Sequence, residues 1–172
     1  MINKSKILAI CGSTRQHSAN KDIILALAEL AKDTLDIRIY EDLTTLPYFN
    51  QDLSIENTPQ SVLEFREAIN KADGIIICTP EYVFSLPGVL KNAIEWTVST
   101  TVFTDKSTAL ITASSSGYKA HESLLLVMNT LSVKTHDEMC ILISGVKSKL
   151  DTQGKIIDET LISQLKQLIK HL

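Results

Sequence analysis

The chain has 172 residues, a formal net charge of −3, and a hydrophobic fraction of 44%. This length predicts one domain, residues 1–172, with a proper core, and the composition is typical of a globular α/β protein. The charge and the lack of a basic stripe argue against a nucleic-acid partner. No apolar run approaches the length of a membrane span, and residues 1–4 lead into the first apolar run without a signal peptide. We therefore expect a cytoplasmic protein without a membrane partner.

The cysteines and histidines give no indication of a metal site. Cys11, Cys78 and Cys140 are odd in number and lie in apolar runs, so we expect reduced core thiols. The four histidines are scattered along the chain, and no cysteine has the spacing of a metal ligand.

The first predicted elements are a strand and a helix joined by a polar loop. An apolar run at 7–11 ends at Gly12, and apolar residues with helical spacing follow at 23–31. A continuous apolar run that ends at a glycine predicts a buried parallel strand, whereas i, i+4, i+7 spacing predicts a helix.

The loop between them has the composition of a phosphate site. It contains three hydroxyl side chains, an asparagine and Arg15, and either Ser18 or Asn20 is a candidate cap for the helix. The first N–H groups of a helix lack internal partners and carry partial positive charge. Hydroxyls, free amides and an arginine together favour an anion.

Spacing separates the known phosphate loops from one another. The P-loop needs a second glycine and a lysine that are absent, and the dinucleotide fingerprint needs G-x-G-x-x-G, of which only Gly12 is present. Three residues between Cys11 and Arg15 are too few for the loop of a cysteine phosphatase. Two interpretations remain: a cradle for one terminal phosphate, as flavodoxin-type folds use for FMN, or a capped strand–helix turn without a ligand.

The rest of the chain alternates between strands and helices. Alternation predicts a parallel sheet with helices on both faces, and ligands of such sheets bind outside the carboxyl ends of the strands. Three loops rich in small polar residues follow such ends, at 12–20, 80–88 and 114–117. The other predicted elements are an edge strand at 36–40, a long irregular connection with an expected functional role at 41–59, a helix at 61–71, a buried strand at 72–78, a helix at 87–98 with Ser85 as candidate cap, a strand at 107–113, a helix at 118–131, one or two strand pieces at 133–143 and a closing amphipathic helix at 157–172.

Two motifs and a middle segment resemble the NADPH-dependent FMN reductase family, which includes quinone, azo-dye and chromate reductases. The second motif is specific at this spacing, and the resemblance covers most of the chain, more thinly after residue 131. The residues that carry it are Gly12-Ser13-x-Arg15-x-x-Ser18-x-Asn20, then Leu46-Pro47-x-x-Asn50-Gln51-Asp52-Leu53, Phe65-Arg66-x-x-Ile69 and Ala72-Asp73, then Pro80-Glu81-Tyr82-x-x-Ser85-x-Pro87-Gly88-x-Leu90-Lys91-Asn92-Ala93-Ile94-Glu95-Trp96.

The resemblance implies a flavodoxin-like, doubly wound, five-stranded parallel sheet of order 2-1-3-4-5. It implies an oxidoreductase that uses FMN and passes electrons from NADPH or NADH to quinone-like, azo or other small acceptors, or to free flavin. It also implies a homodimer or homotetramer. The helix at 87–98 supports an oligomer because its apolar residues are not confined to one narrow face.

The implied site residues fall into the three polar loops. The phosphate would be held by the first loop, the isoalloxazine edge would meet the second, and the pyrimidine end of the ring would meet the third. No catalytic side chain is expected, because the flavin performs the redox chemistry. The cofactor-binding residues carried over are Ser13, Arg15, Ser18 and Asn20, then Pro80, Glu81, Tyr82 and Val83, then Ser114, Ser115, Ser116 and Gly117.

Two departures from the family pattern affect the expected specificity. Val83 stands where the family usually has asparagine, and Gly117, followed by Tyr118, is the only glycine of the third loop. A less polar face at Val83 should favour flat apolar acceptors such as quinones. If the sheet end covers one face of the flavin, the donor and the acceptor must share the other face, which predicts a ping-pong mechanism.

Two other functions remain open. One is a flavodoxin-like electron carrier, which the mixed charges around the loops disfavour because carriers usually surround the flavin with acidic residues. The other is a flavin-binding sensor without turnover, which the two departures leave open. No segment is typical of a clamp for the 2′-phosphate of NADPH, so both nicotinamide donors are retained.

Overall fold

Five parallel strands form the central sheet of this computed structural model, which describes residues 4–40 and 42–172. Residues 1–3 and Glu41, which the sequence placed before the first strand and at the start of the long connection, lie outside the described residues. The strand order is β2-β1-β3-β4-β5 and every neighbouring pair is parallel, which confirms the predicted order and the predicted edge position of β2. The strands are β1 Ser5–Cys11, β2 Leu35–Ile39, β3 Gly74–Thr79, β4 Ser107–Ser114 and β5 Cys140–Ser144.

Helices cover both faces of the sheet, as the flavodoxin-like fold requires. The helices α1 and α5 pack on one face, and α2, α3 and α4 pack on the other. Within the described ranges, no helix has the length and apolar character needed to cross a membrane. The helices are α1 Ala19–Leu30, α2 Gln60–Lys71, α3 Gly88–Glu95, α4 Tyr118–Thr130 and α5 Glu159–Ile169.

The centre of the sheet is buried from both sides, which explains its apolar sequence. All six residues of β3 are buried. Successive strand residues point to opposite faces, so Ile76 and Cys78 join the core under α1 and α5, whereas Ile75 and Ile77 join the other core. A strand between two helical layers needs no polar face, and its sequence is therefore a continuous apolar run.

The connection at 42–59 is fixed by polar bonds from α2 and α3, rather than being irregular throughout. It contains two short 3-10 helices, Leu43–Thr45 and Gln51–Leu53. The Trp96 indole Nε1 donates to the Pro47 carbonyl oxygen at 2.7 Å, and the Asn92 amide donates to the same oxygen at 3.0 Å. Asn92 also accepts from the backbone N–H of Phe49 at 2.7 Å.

Arg66, in α2, adds two further hydrogen bonds to this connection. Its Nε donates to the Trp96 carbonyl oxygen at 2.7 Å and its Nη2 donates to the Ser54 carbonyl oxygen at 3.0 Å. Trp96 is fully buried within its own chain. Its side chain is therefore not available for the subunit contact that the sequence suggested for the helix at 87–98.

Candidate functional site

The three predicted polar loops all follow carboxyl ends of strands, at one edge of the sheet. The first loop begins with Gly12, whose N–H donates to the Cys78 carbonyl oxygen at 2.8 Å and so continues the ladder between β1 and β3. A Cβ atom at Gly12 would lie 2.8 Å from the Cβ atom of Thr79 and would collide with its hydroxyl. Glycine is therefore required here so that the first and second loops can approach each other.

Ser18 occupies the start of α1 with an unsatisfied hydroxyl. It is the N-cap residue, but its side chain makes no capping bond, and it is only 4% exposed. Within residues 4–40 and 42–172 its Oγ has no hydrogen-bond partner. A buried hydroxyl without a partner is costly in a native protein, which makes Ser18 a candidate for contact with a ligand atom.

The part of the first loop from Ser13 to Gln16 faces a cavity of about 400 Å³, and Ser18 is not among the residues that line it. The Ser13 hydroxyl accepts from the backbone N–H of Arg15 at 3.4 Å, and the Arg15 side chain is exposed. Residues from this loop and from the end of β2 line the cavity, and they include Ser13, Thr14, Arg15, Lys21, Tyr40 and Thr44. A larger crevice of about 590 Å³ lies away from this edge, beside Lys6 at the beginning of β1 and Lys71 at the end of α2.

The side-chain amide of Asn20 makes hydrogen bonds within the protein. It is 4% exposed, and its amide nitrogen donates to the Ala113 carbonyl oxygen at 3.2 Å. Its side-chain oxygen accepts from the Cys78 thiol at 3.4 Å. The side chain thus ties the start of α1 to the ends of β3 and β4.

Two cysteine thiols lie near this edge of the sheet. Burial raises the pKa of Cys11 and raises the pKa of Cys78 further, because Cys78 is completely buried. The Ser18 hydroxyl lies near the Cys11 thiol but outside hydrogen-bond geometry. A raised pKa leaves little thiolate, the form that reacts.

The second loop ends in a strained, exposed turn. Tyr82 and Ser85 exchange two backbone hydrogen bonds of 3.0 Å, and the two residues between them have positive φ angles, 51° for Val83 and 56° for Phe84. This is a two-residue hairpin turn of the kind that asparagine and glycine favour, and a β-branched residue there is strained. Val83 is 95% exposed and Phe84 is 77% exposed, so the strained turn presents apolar side chains to solvent.

Glu81 links the second loop to α4. Its carboxylate accepts from three backbone N–H groups, those of Gly117 at 3.3 Å, Lys119 at 2.9 Å and Ala120 at 3.0 Å. The family resemblance implies for Glu81 only a place along the edge of the flavin. The one local signal was that a glycine, which has no capping side chain, precedes the helix at 118.

The third loop is also bonded to its neighbours. Gly117 has a φ of 92°, and a Cβ atom there would lie 2.9 Å from the Leu142 side chain. The Ser144 hydroxyl donates to the Ser116 carbonyl oxygen at 2.6 Å, and the Gly145 N–H donates to the Ser115 carbonyl oxygen at 3.1 Å. The hydroxyl side chains of Ser115 and Ser116 stay on the exposed side of the loop, and Ser114, at the end of β4, is half-buried.

One histidine stands in the wall next to this loop. The His121 Nδ1 lies 3.1 Å from the Thr112 hydroxyl, and the ring is half-buried between α4 and β4. Burial lowers the pKa of His121, since desolvation disfavours the charged form. No group of three or more potential metal ligands comes together in the described chain.

The family model of the NADPH-dependent FMN reductases matches residues 5–146, which include all three loops. The chain belongs to the NADPH-dependent FMN reductase family. This membership confirms the predicted class of enzyme, an oxidoreductase with FMN as cofactor and a nicotinamide as electron donor.

Individual relatives agree with the family match. An NAD(P)H-dependent FMN reductase of Pseudomonas aeruginosa is 30% identical over 100% of this chain and 95% of its own length. A quinone reductase of Pseudomonas putida is 31% identical over 90% of this chain and 86% of its own. The solved structure of FerB, a flavoenzyme NAD(P)H:(acceptor) oxidoreductase from Paracoccus denitrificans, has a similar fold, with a TM-score of 0.80 and 24% identity over 96% of this chain and 93% of that chain.

Proposed function

We propose that this FMN reductase family member passes electrons from NADPH or NADH to small acceptors, with flat apolar quinones preferred, at a site formed by the three loops. The observation that carries the placement is the Ser18 hydroxyl, which is buried at the start of α1 and has no hydrogen-bond partner in the part of the chain that the structure describes. Leaving such a group without a partner costs about 1–3 kcal/mol, which an anionic oxygen accepting from it would recover. Arg15 in the same loop supplies a matching positive charge.

The phosphate of FMN would be held by the first loop. The side chains of Ser13, Arg15 and Ser18 would donate to it, together with the first backbone N–H groups of α1, which lack partners within the helix. The Asn20 side chain is engaged by Ala113 and Cys78, so we assign to Asn20 its backbone N–H and a role in fixing the loop.

The ring of FMN would lie between the second and third loops. The backbone groups of Pro80, Glu81 and Tyr82 would meet its edge, and the loop from Ser114 through Ser115 and Ser116 to Gly117 would meet its pyrimidine end. Bound FMN would supply the redox chemistry, by accepting electrons from the nicotinamide and releasing them to the acceptor. The protein would bind and orient the flavin and its substrates and would exclude water from the site. No side chain would act as acid or base.

The apolar turn supports quinones as preferred acceptors. Val83 and Phe84 expose apolar side chains where the family pattern has an amide at position 83, and Tyr118 is 61% exposed at the start of α4. A flat apolar acceptor gains from contact with such a surface, whereas a hydrated oxyanion does not.

We further propose a ping-pong mechanism, tested by steady-state kinetics. Donor and acceptor would use the one face that the loops leave accessible, so they would bind in turn. NADPH varied against a soluble benzoquinone at several fixed concentrations should give parallel double-reciprocal lines. Lines that intersect to the left of the axis would mean that both substrates bind together.

Colour separates this proposal from the electron-carrier and sensor alternatives. Protein purified with FMN should be yellow, and NADPH should bleach it within the time of turnover. A colourless protein that binds no added FMN would contradict the site. A yellow protein that neither NADPH nor NADH bleaches would favour the electron carrier or the sensor.

We propose a single FMN-binding domain, residues 1–172, that forms a homodimer or homotetramer. Continuity of one sheet from β1 to β5 supports the single domain. The family resemblance and the exposed Val83, Phe84 and Tyr118 support self-association. Light scattering that gives the monomer mass of 19.0 kDa at micromolar concentration would contradict the oligomer.

A further inference from the structure

Helix α4 has thirteen residues and begins directly after the third loop, but its own N-cap residue cannot cap it. Gly117 has no side chain, and its positive φ and its contact with Leu142 leave no room for one. Uncapped N–H groups at a buried or half-buried helix start are unfavourable, and this end of the helix also carries partial positive charge. The acceptor must come from elsewhere in the chain.

Glu81 supplies that acceptor from the second loop. One carboxylate oxygen accepts from Lys119 and Ala120, and the other accepts from Gly117. The Lys119 ammonium pairs with Glu122 at 2.8 Å, so Lys119 meets Glu81 through its backbone. A carboxylate that accepts several backbone N–H bonds at a helix start is a strong, charge-assisted contact.

The position of Glu81 gives this contact a second consequence. Glu81 immediately precedes the strained turn from Tyr82 to Ser85, so its bonds to α4 fix the base of that turn. The strained backbone of Val83 and Phe84 persists only if surrounding contacts hold it in place. The bonds from Glu81 to α4 provide part of that support.

We infer that Glu81 is a positioning residue that joins the two loops around the flavin ring and offsets the positive end of α4 beside the pyrimidine end of that ring. This inference rests on the proposed function. Without the carboxylate, the start of α4 would present uncompensated positive charge toward the ring, which would stabilise the more negative, reduced form. Removing the Glu81 charge should therefore raise the reduction potential of bound FMN.

The first arm of the test uses the protein without flavin. Hydrogen exchange at the Lys119 and Ala120 amides is measured in the wild type, Glu81→Ala, Glu81→Gln and Glu122→Gln. Because hydrogen bonds to charged groups are involved, exchange should accelerate roughly 10- to 100-fold in Glu81→Ala. Glu81→Gln, which keeps one acceptor oxygen and the same shape, should show a smaller increase. Glu122→Gln removes an equal charge from the exposed side of the same turn and should show none.

The second arm measures the midpoint potential of FMN bound to the same variants. The potential should rise in Glu81→Gln relative to both the wild type and Glu122→Gln. A merely structural role would not move the potential in the isosteric variant. If Glu81→Ala does not fold, Glu81→Gln alone decides both arms.

Three outcomes would overturn the inference. Unchanged amide exchange in both Glu81 variants would show that Glu81 is not the cap. Faster exchange with an unchanged potential would show a cap without influence on the flavin. A wild-type protein that binds no FMN would overturn the proposed function and the electrostatic role with it, while the first arm would still decide the capping role.

Discussion

The two family motifs differ in what their residues do. Three polar side chains of the second motif are bonded within the protein: Asn92 and Trp96 hold the connection at Pro47, and Glu81 holds α4. In the first loop, the Ser18 hydroxyl has no partner among the described residues and the Arg15 side chain is exposed. The motif that is more specific in sequence thus serves mainly the fold, and the shorter loop has the groups available for a ligand.

This difference teaches how to interpret a family signature. A long motif can be specific because many of its residues must fit one another, and Trp96 with its buried ring and its bond to Pro47 is an example. A ligand site needs the opposite property, which is polar groups left without internal partners. Variants in the two regions should therefore fail in different assays.

The largest expected effect is on stability, from Trp96→Ala. Loss of a fully buried indole and of its bond to Pro47 should lower the free energy of unfolding by about 3–5 kcal/mol, measured by urea denaturation. Val98→Ala, at a 61% exposed position just beyond α3, is the matched control and should change it by less than about 0.5 kcal/mol. Similar small losses in both variants would remove the structural role assigned to the motif.

Arg15→Ala should show the reverse pattern. Loss of a bond to a charged group should weaken FMN binding by roughly 10- to 150-fold while riboflavin, which has no phosphate, binds as before. The stability of the apoprotein should not change, because the side chain is exposed. Isothermal titration of the apoprotein measures both ligands, and Arg38→Ala, at an exposed arginine paired with Asp36, is the control. Equal losses for FMN and riboflavin would place the phosphate elsewhere.

Ser18→Ala tests the first loop at a buried position. Among the described residues its hydroxyl is buried without a partner, so its removal should not lower the free energy of unfolding of the apoprotein and should raise it by up to about 1–3 kcal/mol, unlike an ordinary N-cap substitution. FMN binding should weaken about tenfold, near the lower limit for a bond to a charged group. Ser61→Ala, in the first turn of α2, is a control for both titration and denaturation. A marked loss of apoprotein stability with unchanged FMN affinity would reverse the role assigned to Ser18.

The smallest expected effect is a loss of stability in acid that originates at His121, between α4 and β4. Burial lowers the pKa of His121, so the folded protein binds fewer protons than the unfolded chain, whose histidine has its ordinary value of 6.5. Stability should therefore decline as the pH falls through this value, and denaturation from about pH 8 to about pH 5 measures the decline. His121→Gln should reduce the slope relative to the wild type. An unchanged slope in this variant would contradict this origin.

Periodicity in the sequence predicted the elements of the fold, and tertiary contacts decided the details it missed. The segment 133–143 was predicted as one strand or two pieces, and the structure has an isolated bridge from Lys134 to Ser107, a 3-10 turn at Asp137–Met139 and then β5 at Cys140–Ser144. Ser85 does not cap α3, since it closes the turn with Tyr82 and Pro87 takes the N-cap position.

The site was predicted as three loops, but not as a bonded unit. Glu81 reaches Gly117 across 36 positions and Asn20 reaches Ala113 across 93. A hydrogen bond from a side chain to a backbone group far away in the chain produces no periodic pattern or fixed spacing that could be recognised in the sequence. Ser18 was predicted as a cap, and only the three-dimensional arrangement reveals that its hydroxyl is unmatched.

The strained turn has a consequence for directed evolution. Gly12 and Glu81 are fixed by their contacts, so substituting them would disturb the arrangement of the loops, whereas Val83 and Phe84 lie exposed at the tip. Asparagine or glycine at position 83 would relieve strain of order 1–3 kcal/mol, and that gain could offset the cost of a destabilising substitution elsewhere. Libraries confined to positions 83 and 84 should therefore shift acceptor preference while most members still fold.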